Sequence, residues 1–215
     1  MNVRCTVVAG LLVTASLSQA ADRFPVLRPD ELTPEQVKVV QSLLASPRPG
    51  GGGVEATPEN MAAMIRGPFN AYLRSPAVGM QIAALSEQIR FHSSLPARIN
   101  EFAILITARY WHSAYEWQAH APLALKAGLD SAVAERLAKN RRPQGMEDDE
   151  AAVYDFCIQL HRTHRVSDSA YQRVKAHFGE RGVMDLVAVS GLYDLVSMTL
   201  NVAEVPVPGE TIPFK

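Results

Sequence analysis

The stretch from Arg98 to Gly128, RINEFAILITARYWHSAYEWQAHAPLALKAG, places ionisable side chains in otherwise strongly apolar surroundings. Glu101 sits among Ile99, Phe102 and Ile106, with Arg98 one helical turn before it, and a carboxylate in that company needs a partner. Glu116 and His120 are four positions apart, so a helix would put them on one face, where they can share a proton or hold one substrate between them. An imidazole that gives and takes protons near neutral pH, set beside carboxylates, is equipment for general acid–base chemistry. His120 is accordingly the candidate acid, Glu101 the group that orients or tunes it, and Glu116 a second acid or base. Arg98, His112, Ser113 and Tyr115 are candidates for substrate contacts. Arg98 either holds Glu101 or meets a substrate carboxylate, and His112 shares the face of Glu101 if the helix persists that far.

Each of these residues also has a plainer reading. Ser113-Ala114-Tyr115-Glu116 has the spacing of a capping box, in which Glu116 only closes the start of its helix. Glu101 could be no more than the partner of Arg98, and His120 a satisfied core histidine. Trp111, Tyr115 and Trp117 either pack or line a pocket. His112, Glu116 and His120 stand at four-residue steps like a helical metal-ligand set, but a cap at Ser113 would break the helix between the first two, so no metal is expected. His161 and His164, in HRTHR, read as a solvated basic helix end.

The elements that must position these residues are helical. Thr33-Pro34-Glu35-Gln36 opens a helix with a capping box and proline at its first position, and Val37, Val40, Leu43 and Leu44 follow at helical spacing. PRPGGGG, residues 47–53, ends that helix and reads as a flexible loop or hinge. Gly67 and Pro68 punctuate a short helix, another follows Pro76, and a long one begins near Pro96. Tyr115 to Ala127 is a helix stopped by Gly128, and Asp130 or Ser131 caps a short one running to Lys139. After a basic loop from Arg141 to Gly145, helices are expected over Glu147 to His164, Ser167 to Phe178 and Val183 to Val202. There is no sustained period-two alternation, Walker loop, dinucleotide fingerprint or paired-cysteine metal site. The expected fold is an all-α, single-domain helical bundle.

At the start of the 215-residue chain, Arg4 precedes a mostly apolar run from Cys5 to Leu17, and Ser18-Gln19-Ala20 has the small residues of a cleavage site. Residues 1–20 therefore read as a signal peptide, and the mature protein as periplasmic or secreted. Residues 21–56 form an arm, a helix and the Gly-rich loop, residues 57–204 the helical domain, and residues 205–215 a Pro-rich tail. No later segment is expected to span a membrane. The formal charge of −1 becomes one unit more negative without Arg4, which gives no reason to expect nucleic acid or an anionic membrane as partner. A small-molecule substrate remains. Cys5 leaves with the signal, so Cys157 is the only mature thiol and no intramolecular disulfide can form.

The pattern Glu101…Tyr115-Glu116-Trp117-Gln118-Ala119-His120…Ala127-Gly128-Leu129 resembles the carboxymuconolactone decarboxylase and alkyl hydroperoxidase D-like superfamily, in which a Glu on one helix precedes a His by a fixed interval. The likeness extends upstream through Gly67-Pro68-Phe69-Asn70-Ala71-Tyr72-Leu73-Arg74-Ser75-Pro76, so it covers under a third of the chain. It implies a helical fold of the alkyl hydroperoxidase D-like type, a homo-oligomer built by helix packing, no obligatory cofactor, and a pocket near the Glu and His. In the peroxidase branch two cysteines stand between them, whereas Ser113 and Glu116 occupy those positions here. Cys157 lies on another predicted helix and reads as a small buried apolar residue. The resemblance thus favours cofactor-free acid–base decarboxylation or proton transfer on a small carboxylated lactone or carbonyl compound. A peroxiredoxin-type antioxidant role and a non-catalytic periplasmic binding protein are the alternatives.

Overall fold

The computed structural model describes residues 23–207 and Phe214. The expected signal peptide, Cys5 and most of the Pro-rich tail lie outside the described residues. Within them all regular structure is helical: after a 3-10 turn at Pro29–Glu31 come α1 (Pro34–Ala45), α2 (Pro58–Met64), α3 (Pro68–Tyr72), α4 (Pro76–Phe91), α5 (Ala97–Tyr110), α6 (Ala114–Lys126), α7 (Ser131–Ala138), α8 (Asp148–Thr163) and α9 (Asp168–Ala203). The fold is the all-α bundle expected from the sequence.

Helix α5 is the axis of the bundle. Its residues from Phe102 to Ile106 are at most 1% exposed, because α6, α7, α8 and α9 pack around it. A second, smaller core of Val39, Val40, Leu43, Leu44, Met64, Ile65, Leu73 and Ala83 joins α1 and α2 to α4. Phe69 on α3 packs against both clusters. The capping box at Thr33 and Gln36 forms as its sequence requires, and Gln36 also donates to the carbonyl of Leu73.

Residues 47–53 form the expected loop. It folds back on the end of α1, with the amides of Gly51, Gly52 and Gly53 donating to the carbonyls of Arg48, Ser46 and Leu44 at 2.8, 2.7 and 2.9 Å. A side chain at Gly51 would place its Cβ 2.4 Å from the Ser46 carbonyl oxygen, so glycine there serves close backbone approach. The turn is a built one, and it buries Arg48 to 4% exposure.

Two expected helices, Ser167 to Phe178 and Val183 to Val202, are joined into α9 across Gly179, whose φ of 68° and ψ of −176° break the helical path. Contrary to expectation, α9 is long and apolar enough to cross a membrane by composition, with a mean hydropathy of 1.5 over its most apolar eighteen residues. Much of that apolarity packs against α3, α4, α5 and α8. Met184, Val187, Leu195, Met198 and Val202 remain exposed.

His161 also departs from the sequence reading. The HRTHR end of α8 is not solvated at this position: His161 is buried, stacked on Tyr110 with ring centroids 4.8 Å apart, and bonded through Nε2 to Thr107 Oγ1 at 3.1 Å. Burial lowers its pKa and Asp194, 3.5 Å from Nδ1, opposes that. His164 instead takes the left-handed conformation that ends α8.

Candidate active site

Helices α5 and α6 form an antiparallel hairpin, and the turn between them decides which residues meet. Ser113 N–H donates to the Ala108 carbonyl at 2.9 Å and His112 N–H to the Arg109 carbonyl at 3.3 Å, which is the Schellman pattern for closing a helix. His112 occupies its left-handed position, with φ of 52°. That conformation turns its ring outward, where it is exposed and meets Phe214 edge-on. His112 therefore reaches neither Glu116 nor His120, and the four-residue ligand ladder suggested by spacing is not assembled.

The capping box expected at the start of α6 is also absent. Ser113 makes no side-chain cap bond, its Oγ is buried without a partner, and Glu116 turns inward. The reason is tertiary packing: Glu116 is 3% exposed, and its Oε2 lies 3.4 Å from His120 Nε2 one turn later. From α5, Glu101 Oε2 reaches the other ring nitrogen, His120 Nδ1, at 2.6 Å. A third group comes from α9, where the Tyr193 hydroxyl lies 3.3 Å from Nε2. The imidazole is thus held at both nitrogens, by Glu101 on one side and by Glu116 and Tyr193 on the other. Nδ1–H donating to the Glu101 carboxylate leaves Nε2 as the atom that exchanges protons.

Arg98 holds a different post from either expected one. It pairs with Glu150, and with Asp149 at 2.8 Å, tying the start of α5 to the start of α8. Its charge is spent on a half-buried bridge, and Glu101 takes His120 in its place.

His120 and Glu116 line a cavity of about 240 Å³, closed by Tyr72, Tyr115, Tyr193, Phe69, Arg48 and Arg90 among others. Glu101 does not line it and touches the cavity only through His120. Tyr115 does line it, and Gly67 opposite is a glycine because a Cβ there would lie 2.3 Å from the Tyr115 hydroxyl. Ser113 does not reach it. The electrostatics follow from burial. Desolvation pushes the Glu116 carboxyl above its ordinary value; His120 and Arg90 pull it back and Glu101 adds to the rise. Burial likewise raises the Tyr72 and Tyr193 phenols, so both remain neutral donors.

Sequence reasoning missed Tyr193, Tyr72, Arg48 and Arg90. Tyr193 carried one signal, as the one aromatic residue in the apolar stretch from Val183 to Val202. Arg48, embedded in a proline and glycine run, resembled loop solvation.

No protein-family model and no curated protein matches the chain. Among solved structures it is similar to the crystal structure of a protein of unknown function from Agrobacterium tumefaciens, one named for AhpD antioxidant defence without an established function. The TM-score is 0.54 at 16% identity, over 66% of this chain and 97% of that one. At that identity the likeness shows the fold alone: this chain has an AhpD-like all-α architecture.

Proposed function

We propose that the protein is an acid–base enzyme acting on a small carbonyl compound or lactone, of the carboxymuconolactone decarboxylase-like kind. The observation that carries this reading is His120 on a cavity wall, with one nitrogen fixed by Glu101 and the other facing Glu116, Tyr193 and the cavity. In the reaction, a bond on the carbon next to the carbonyl breaks, losing either a proton to Nε2 or a carboxylate as carbon dioxide. The electron pair delocalises onto the carbonyl oxygen as an enolate, for which the neutral Tyr193 hydroxyl is a donor. A proton is then delivered to carbon from the Glu116–His120 pair. Glu101 is a positioning residue, since it acts through the ring.

The thiol alternative has weaker support. Cys157 is the only cysteine among the described residues, it is fully buried on α8, and burial pushes its pKa up to about 12. A thiol so protonated is a poor nucleophile. A closed core without a cavity would have favoured a non-catalytic role, and a cavity adjoins His120. A homo-oligomer belongs to the same proposal, and the exposed apolar stripe of α9 supports it.

The test is hydrogen–deuterium exchange, with parallel measurement of carbon dioxide release, on a panel of carboxylated lactones and 1,3-dicarbonyl compounds in heavy water. Wild-type protein is expected to catalyse one of the two. His120→Ala is expected to lower that rate by about 10²- to 10⁴-fold while the fold persists by circular dichroism. Full activity in folded His120→Ala protein would overturn the mechanism.

A further inference from the structure

We propose that Arg48 and Arg90 form a subsite for an anionic group, a carboxylate or a phosphate, that the substrate keeps through the reaction. The inference rests on the reading of the cavity as an acid–base site and names the handle by which that site holds its substrate.

Both arginines line the cavity that His120 and Glu116 line. Arg48 is 4% exposed, and its side chain is fixed: Nη2 bonds Ser46 Oγ at 3.2 Å, and the guanidinium lies over the Phe69 ring with Cζ 5.2 Å from the centroid. Its other two nitrogens, Nε and Nη1, are buried with no acceptor, and so is Nε of Arg90. Neither arginine has a carboxylate within ion-pair distance among the described residues. The acids that act on them at longer range are Glu87 on Arg48 and Glu116 on Arg90. Burial lowers the pKa of Arg48, and Arg90 adds to the fall as a like charge. A buried guanidinium cannot shed its proton to relieve this, and unsatisfied buried donors are rare in native proteins. An anion in the cavity supplies what both lack, since the flat guanidinium fork matches carboxylate and phosphate oxygens.

The held group is a retained one for an energetic reason. A carboxylate that leaves as carbon dioxide loses its charge in the transition state, so two cations gripping it would stabilise the ground state more and slow the step. The arginines therefore suit an anchoring group, with the reacting carbon placed at the His120 end. This narrows the chemistry toward proton transfer, or toward loss of a second carboxylate on the same molecule.

Binding of sodium benzoate, inorganic phosphate and neutral benzamide to the full chain, followed by calorimetry, tests the subsite. One of the two anions is expected to bind and benzamide is not, and which anion binds tells carboxylate from phosphate. Affinity is expected to fall roughly tenfold or more in Arg48→Met and in Arg90→Met, and to persist in His120→Ala. Should Arg48→Met fail to fold, Arg48→Lys, which keeps the charge and loses the fork, is expected to bind more weakly than wild type. Binding of neither anion, or equal affinity in wild type and the folded Arg90→Met variant, overturns the subsite. Anion binding without any exchange or carbon dioxide release by wild type would sink the acid–base reading and leave the subsite standing.

Discussion

Replacing Glu116 with Gln should stabilise the protein more as the pH rises, and the size of the effect follows from burial. Glu116 is 3% exposed, and desolvation raises its carboxyl above the ordinary 4.5. Below 4.5 both folded and unfolded chains hold the proton. Between 4.5 and the raised folded value, the native state holds a proton that the unfolded state has released, so wild-type stability falls by about 1.4 kcal/mol for each pH unit. Above the folded value both states are ionised and the loss saturates. Glutamine has nearly the same shape and does not titrate, so the variant lacks this slope. For a domain of this size, each pH unit in the window should separate the two melting temperatures by about 3–5 °C, the variant gaining on the wild type. Other titrating groups are shared and cancel in the difference, apart from the coupling with His120, which makes the proton a property of the pair. Thermal melts of both proteins in closely spaced buffers from about pH 4 to about pH 8 measure it. A flat difference, or a wild type that gains on the variant with rising pH, would show Glu116 held ionised by His120 and Arg90, and the burial argument would be wrong.

Two further substitutions separate structure from chemistry. Arg98→Met removes the cation that serves the 2%-exposed Glu150, so it should lower unfolding free energy by about 3 kcal/mol in urea titrations, while turnover by the folded protein stays unchanged. Loss of activity without loss of stability would return Arg98 to the site. Cys157→Ser should leave turnover intact with a modest drop in melting temperature, since the thiol is buried against Ser190 at 3.7 Å; inactive but folded protein would revive a thiol mechanism.

Much of the bundle was legible because its helices carry their own punctuation. Thr33, Asp130 and Ser167 each cap a helix through the side chain, and Gly128, at φ of 100°, closes α6 as a glycine after an apolar run should. The break between Ser167–Phe178 and Val183–Val202 is legible in the same way, since the chain leaves the helical path at Gly179, directly after Phe178. The PRPGGGG segment is legible as a loop, but its shape is not. Composition reports how many conformations a glycine run can adopt, and says nothing of the backbone acceptors at the end of α1 that select one of them.

The site divides along the same line. Spacing within one helix brought Glu116 and His120 together, because four residues make roughly one turn whatever the tertiary context. Spacing failed at His112, where a helix ended one residue earlier in a Schellman turn whose left-handed position is filled by histidine where glycine is usual. It failed again at Ser113, whose capping pattern lost to the pull of a buried imidazole on Glu116. Arg98 shows how sequence neighbours mislead: Glu101 lies one turn away, yet the partners of Arg98 are Asp149 and Glu150, some fifty residues on and adjacent only after α8 packs on α5. Arg48, Arg90 and Tyr193 converge from the loop after α1, from α4 and from α9, so no local pattern could relate them. What could have been noticed is chemical. An arginine flanked by prolines and glycines has no helical neighbour to pair with, and a charge so placed has to find its partner across the fold or in a ligand.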